Sequence, residues 1–270
     1  MTQDRFEAVI HPGNVAVVTG AALGIGRALA QDLAERGLRV VMVDVDGAEL
    51  DKAAAEAGGE VIARVVDVAD PDAVQALADE VAAEFGNVQF LANNAASRAG
   101  RGHDADLADW RQSMDVNLWG VVHGVRSFLP LMQDGPAMIV NTGSKQGITN
   151  PPGHPIYNMT KAALKSYTES LEHELRGQGG GVSAHLLVPG WTTTGHAEHK
   201  PGAWLPEQVV DQLMQALTRD DFYVICPDDE VTPDMDQRRI MWGAGDVAEN
   251  RPALSRWHPD WKDKAAEACS

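Results

Sequence analysis

Short, unbroken apolar runs alternate along the chain with longer segments whose apolar residues recur at helical spacing. The runs are Val15–Val18, Val40–Val43, Val61–Val66, Phe90–Asn93, Met138–Asn141, Ser183–Val188 and Phe222–Ile225. Continuous rather than alternating apolar character predicts strands covered by helices on both faces of a parallel sheet. The segments between carry helix signals. Asp70-Pro71 reads as an N-cap followed by proline at the first helical position; Val74, Leu77, Ala78, Val81 and Phe85 repeat on one face, and Gly86 ends the element. Strand–helix alternation sustained to Ile225 predicts a single α/β domain with a doubly wound, mostly parallel sheet and ligands at the carboxyl ends of its strands. Residues 1–13 and 227–270 stand outside this rhythm, as an extension and a tail around a core spanning 14–226. Trp242, Trp257 and Trp261 in the tail need something to pack on, either the chain's own surface or a neighbouring subunit and the rim of a pocket. Pro252 and Pro259 limit regular helix there.

The first strand–helix junction carries candidate chemistry. Thr19-Gly20-Ala-Ala-Leu23-Gly24-Ile25-Gly26 places glycines where a tight turn, close approach of a diphosphate and close helix packing need them. The helix N-terminus behind them offers unpaired N–H groups to phosphate. The second strand ends at Asp44, whose carboxylate can accept from ribose 2′- and 3′-hydroxyls and repels a 2′-phosphate. No Arg or Lys follows Asp44 directly and Leu23 is uncharged, so the pattern predicts NAD(H) over NADP(H). Asp67-Val68 and Asn94-Ala95 close the third and fourth strands and line up with the adenosine side; Asp67 reads equally as a helix cap.

Tyr157 and Lys161 lie four residues apart, hence on one helix face. A phenol ionises near pH ~10 in isolation, and a neighbouring ammonium favours the phenolate. Ser144 follows the fifth strand closely enough for sheet geometry to bring its hydroxyl beside Tyr157.

Composition narrows the alternatives. In 270 residues, 44% are hydrophobic and 23% charged, which supports a full globular core. No apolar run approaches the ~20 residues of a membrane span. The N-terminus lacks the pattern of a signal peptide. The net charge of −17 makes nucleic acid and acidic lipid poor partners. Two cysteines without a CxxC pair exclude a disulfide scaffold and suggest a reducing, cytoplasmic setting. His196 and His199 have no third ligand at sensible spacing, so no metal is expected.

Taken in order, Thr19-Gly-x-x-x-Gly-Ile-Gly26, Asp44, Asp67-Val68, Asn93-Asn-Ala95, Asn117, Ser144-x-x-Gly147, Tyr157-x-x-x-Lys161 and Pro189-Gly190 with Thr192 to Thr194 resemble the short-chain dehydrogenase/reductase family. The resemblance covers roughly residues 14–225 and implies a Rossmann-type fold, a nicotinamide cofactor and a small alcohol or ketone substrate. It implies Tyr157 as general acid/base, Lys161 on the nicotinamide ribose, Ser144 on the substrate oxygen and Asn117 holding a water that links Lys161 to solvent. Pro189, Gly190, Thr192 and Thr194 would receive the nicotinamide end. Gln146, His154 and Trp191 are candidates to line the substrate pocket, and a homo-oligomer, tetramer or dimer, is implied. The sequence departs from the family pattern at Ala96, where glycine is usual, at Thr142-Gly143 before Ser144, and in its long tail. Two rivals remain: a catalytically silent dinucleotide-binding sensor or scaffold of the same fold, and a nucleotide-fold methyltransferase, which has no use for Tyr157 and Lys161.

Overall fold

A computed structural model describes residues 2–179 and 181–270. All seven apolar runs form strands: β1 Val15–Thr19, β2 Arg39–Asp44, β3 Glu60–Val65, β4 Phe90–Asn93, β5 Ala137–Thr142, β6 Val182–Val188 and β7 Tyr223–Ile225. They pair in parallel in the order β3-β2-β1-β4-β5-β6-β7. The chain winds outward in one direction from β1 through β3, then crosses back to β4 and winds the other way. The crevice outside the carboxyl ends of β1 and β4 is therefore the switch point where such sheets bind ligands.

Both faces of the sheet are apolar because successive side chains of each central strand point to opposite cores. Ala16, Val18, Val40 and Met42 join one core with Leu29 and Leu33 of α2 (Gly24–Glu35). Val15, Val17, Val41 and Val43 join the other with Val74, Leu77 and Val81 of α4 (Pro71–Phe85). The expectation of two covered faces fails at the two edge strands, in part at β7, where Tyr223 is 46% exposed, and more fully at β3. There the run is half-buried and Val65 is 62% exposed, because β3 is an edge strand with no partner beyond it.

Helix α4 starts where the sequence places it: the Asp70 carboxylate accepts from the Asp72 and Ala73 amides, Pro71 fills the first turn, and Gly86 ends the helix at φ +79°. Between α1 (Thr2–Val9) and α11 (Lys262–Cys269), α3 spans Gly47–Ala57, α5 Leu107–Met114, α6 Gly120–Phe128, α7 Gln146–Thr149, α8 Pro155–Gly177, α9 Pro206–Thr218 and α10 Pro233–Ala248. No helix among the described residues is long and apolar enough to cross a membrane.

The tail is more regular than its prolines suggest. Pro233 sits at the first helical position of α10, with Thr232 capping, and Pro252 and Pro259 fall in the connection between α10 and α11. The tail's aromatic side chains pack against other tail residues. Trp242 donates to Ser255 Oγ at 2.7 Å and meets Trp261 edge-on at 6.4 Å, and the Arg251 guanidinium lies 4.4 Å from the Trp242 ring. Removing the α4 cap by Asp70→Ala leaves two first-turn amides without their acceptor, so it should cost about 1 kcal/mol in urea unfolding with an unchanged m-value.

Candidate active site

A cleft of about 420 Å³ opens at the switch point. One end is the turn after β1. Gly20 adopts φ +65°, and a Cβ there would sit 2.8 Å from the Ala95 Cα, so the ends of β1 and β4 approach as closely as they do only with glycine at 20. Gly24 also has positive φ, +58°, and Gly26 faces the Gly20 carbonyl with no room for a side chain. Helix α2 begins at Gly24 without a side-chain cap, so its first amides are free to meet an anion.

Asp44 ends β2 at the same cleft. Its Oδ2 accepts from the Ala22 amide at 3.0 Å and its Oδ1 from the Asp46 amide at 3.1 Å, which orients the carboxylate and leaves lone pairs for further donors. This cradle, an uncapped helix N-terminus over positive-φ glycines with an oriented carboxylate 18 residues beyond Gly26, fits a dinucleotide.

At the other end, Tyr157 and Lys161 share one face of α8, and Ser144 follows β5. Tyr157, Lys161, Ser144, Pro189, Gly190, Thr192 and Thr194 all line the cleft, as do Gly20, Leu23, Gly24, Ile25 and Asn94. The Lys161 ammonium lies 5.7 Å from the Tyr157 ring centroid and donates to the Thr142 carbonyl at 2.6 Å. Lys161 is fully buried. Burial therefore pushes its pKa down, the facing Tyr157 charge opposes this, and Arg98 adds to it. For Tyr157, burial pushes the phenol up. The Lys161 and Arg98 charges, with hydrogen bonds from Arg98 and Ser144, outweigh it and hold the phenol below its ordinary value of 10.0.

Asn117 sits in a single π turn over Asp115–Trp119, a departure from α geometry common at functional sites. Its side chain is engaged at three points: Nδ2 donates to the Ser97 carbonyl and to Thr160 Oγ1, and Oδ1 accepts from the Ser97 amide.

Several candidates lie elsewhere. Gly26 and Ala95 support the turn from behind the cleft wall, and Ala96 lines it. Asp67 is exposed, its Oδ1 accepting from the Ala69 amide, and neither it nor the buried Val68 lines the cleft. Gln146 and Trp191 line an adjoining cavity that shares Ser144 and Arg98 with the cleft, whereas His154 lines neither and pairs with Arg101 at 3.3 Å. His199 bonds Thr193 Oγ1 at 3.0 Å, and no trio of His, Cys, Asp or Glu among the described residues is placed to hold a metal.

Sequence reasoning missed two features. Arg98 stands over the Tyr157 ring, 5.0 Å from its centroid, and the signal available was a basic residue five positions past the end of β4 at Asn93. Lys145, next to Ser144, is clamped by Asp236 of α10 at 2.6 Å and by Asp228 at 3.6 Å. Asp228 also accepts from the Trp191 amide at 3.1 Å, so the tail braces the two loops that flank the cleft from outside.

Comparison with known proteins agrees with this geometry. Residues 14–202 match the family model described as short chain dehydrogenase. The 1-deoxy-11-beta-hydroxypentalenate dehydrogenase of Streptomyces exfoliatus is 33% identical over 261 residues, 90% of this chain and 93% of that protein. Among solved structures, a short-chain dehydrogenase/reductase from Burkholderia phymatum in complex with NAD superposes with a TM-score of 0.81 at 33% identity, covering 89% of this chain and 96% of that one. A metagenomic short-chain oxidoreductase in complex with NADP gives 0.69 at 30% identity, covering 80% and 98%. An uncapped glycine turn, an oriented strand-end carboxylate and a buried lysine beside a tyrosine thus occur in a chain whose sequence and fold both match one group of oxidoreductases: the protein belongs to the short-chain dehydrogenase family.

Proposed function

We propose that the protein is an NAD-dependent alcohol dehydrogenase or carbonyl reductase acting on a secondary alcohol and its ketone. The observation that carries this reading is the convergence of Tyr157, Lys161 and Ser144 on one end of a cleft whose other end is the glycine turn and Asp44. When bound, NAD supplies the hydride acceptor or donor. The chain supplies alignment and proton transfer.

Ser144 donates to the substrate oxygen and holds it against Tyr157. In oxidation the Tyr157 phenolate takes the hydroxyl proton as hydride leaves the same carbon; in reduction the phenol returns it. Lys161 keeps that phenolate accessible by charge and binds the nicotinamide ribose. Pro189, Gly190, Thr192 and Thr194 receive the nicotinamide end, and Asn117 holds the water that connects Lys161 to solvent. Asp67 and Val68 stay part of the reading as the outer border of the adenosine site.

NAD is preferred over NADP in this proposal because Asp44 supplies a negative charge where a 2′-phosphate would fall. The basic residues lining the cleft, Arg98 and Lys161, both stand at Tyr157 and not at Asp44. Free Cys226 and Cys269, both buried, are compatible with a reducing, cytoplasmic setting, and a homo-oligomer remains part of the proposal. A silent sensor of the same fold has no use for a buried lysine held against a tyrosine, because a buried ammonium costs several kcal/mol of desolvation without function in return.

Tyr157→Phe should lower kcat by at least about 100-fold while NADH still binds, as read by fluorescence titration. In the native protein the rate of alcohol oxidation should rise with pH through a Tyr157 ionisation that lies below pH 10, because the phenolate is the active form. A profile still rising at the ordinary phenol value would contradict the assignment. Asp44→Ala should weaken NAD binding and narrow the NAD-over-NADP ratio in kcat/KM by about tenfold or more. An unaltered ratio would remove the ribose role.

A further inference from the structure

Arg98 adds to the positive charge at Tyr157, but the reaction described above gives it no contact with the substrate. It lies five residues past the end of β4 at Asn93 and lines both the nucleotide cleft and the adjoining cavity that contains Gln146 and Trp191. Its guanidinium carbon lies 5.0 Å from the Tyr157 centroid. It makes no ion pair with any carboxylate among the described residues, in a chain where acidic residues outnumber basic ones 39 to 22. What sets Arg98 apart from the other arginines without an ion pair is its place at the reacting end of the cleft, where it lines both the cleft and the adjoining cavity.

The other cations of that wall are differently occupied. Lys145 is held by Asp236 and Asp228, Lys161 by the Thr142 carbonyl, and Lys200 stands exposed in the loop after Gly195. Glu198 is the carboxylate of the adjoining cavity and does not reach Arg98.

A guanidinium carries five N–H donors in a planar fork, so contact with the Tyr157 oxygen leaves donors for a second acceptor. The donors that Tyr157 does not use match the two oxygens of a carboxylate bound in the cleft that Arg98 lines. Placed there, a carboxylate leaves a neighbouring carbinol free to reach Tyr157 and Ser144. One guanidinium balances one negative charge. A phosphate monoester carries nearly two and would lie in the cavity that contains Glu198, which disfavours it.

We propose that Arg98 is the anchor for a carboxylate on the substrate, so that the enzyme's substrates are hydroxy acids and keto acids whose carboxylate lies near the reacting carbon. The inference rests on the proposed function for the identity of the reacting end, and its test does not depend on turnover. Protein saturated with NADH is titrated with three unreactive matched pairs: benzoate and benzamide, hexanoate and hexanamide, cyclohexanecarboxylate and cyclohexanecarboxamide. Quenching of NADH fluorescence reports binding.

At least one carboxylate should bind about tenfold or more tightly than its amide. Arg98→Gln should abolish that preference, and Arg98→Lys, which keeps the charge but loses the fork, should restore only part of it. Equal affinity for acid and amide in every pair, no binding of any probe, or a preference that survives in Arg98→Gln would each overturn the proposal. Arg98 is exposed, so both variants should fold, and unchanged thermal melting verifies this. If the preference is found but no alcohol or ketone is turned over, the anion site stands and the reaction assignment falls. If the methyl ester of a hydroxy acid is oxidised as well as the acid, the reaction stands and the Arg98 assignment falls.

Discussion

The site is held together by one polar chain that ties the nucleotide turn to the buried ammonium. Asn94 Nδ2 donates to the Thr19 and Gly20 carbonyls at 3.2 and 3.3 Å, and its Oδ1 accepts from Thr142 Oγ1 at 3.2 Å. The Thr142 carbonyl in turn accepts from Lys161 Nζ. Three strand ends, β1, β4 and β5, and helix α8 are thereby fixed relative to one another with the polar groups of the chain paired, as buried polar groups in a low-dielectric interior must be. A second link runs parallel and deeper: Asn93 donates to Asn141, Asn141 to Thr168 of α8. Displacement of Asn94 would disturb the cofactor turn and the lysine together.

This arrangement accounts for the electrostatics of the reacting end. Burial alone would raise a phenol and lower an ammonium. Tyr157 nevertheless lies below its ordinary value because Lys161 is anchored beneath it and Arg98 crosses its ring from the cleft side. The two cations differ in kind. Lys161 is enclosed and belongs to the scaffold, whereas Arg98 is solvent-accessible and available to a ligand.

The tail contributes from behind. Asp236 and Asp228 hold Lys145, and Asp228 holds the Trp191 amide, so the loops after β5 and β6 are braced by residues that follow the last strand. Burial pushes the Asp236 carboxyl above its usual range even with the Lys145 ammonium against it. Part of the attraction in that pair is therefore offset by desolvation, and its effect is geometric rather than strongly stabilising.

What could be read from the linear order of residues was whatever depends on neighbours in sequence. Apolar runs give the seven strands, Asp70-Pro71 and Gly86 give the bounds of α4, and the spacing of Tyr157 and Lys161 gives their common face, because backbone periodicity and capping act over a few residues. The glycine turn and Asp44 were legible for the same reason, each marking the end of a strand. Tertiary structure alone decided the rest. It made β3 an edge, placed Asp67 and His154 outside the cleft, committed the Asn117 side chain to Ser97 and Thr160, and brought Arg98 over Tyr157 and Asp236 onto Lys145. Each of these depends on which strand ends and loops the winding of the sheet sets side by side, and residues separated by 59 positions, as Arg98 and Tyr157 are, carry no local signal of that meeting.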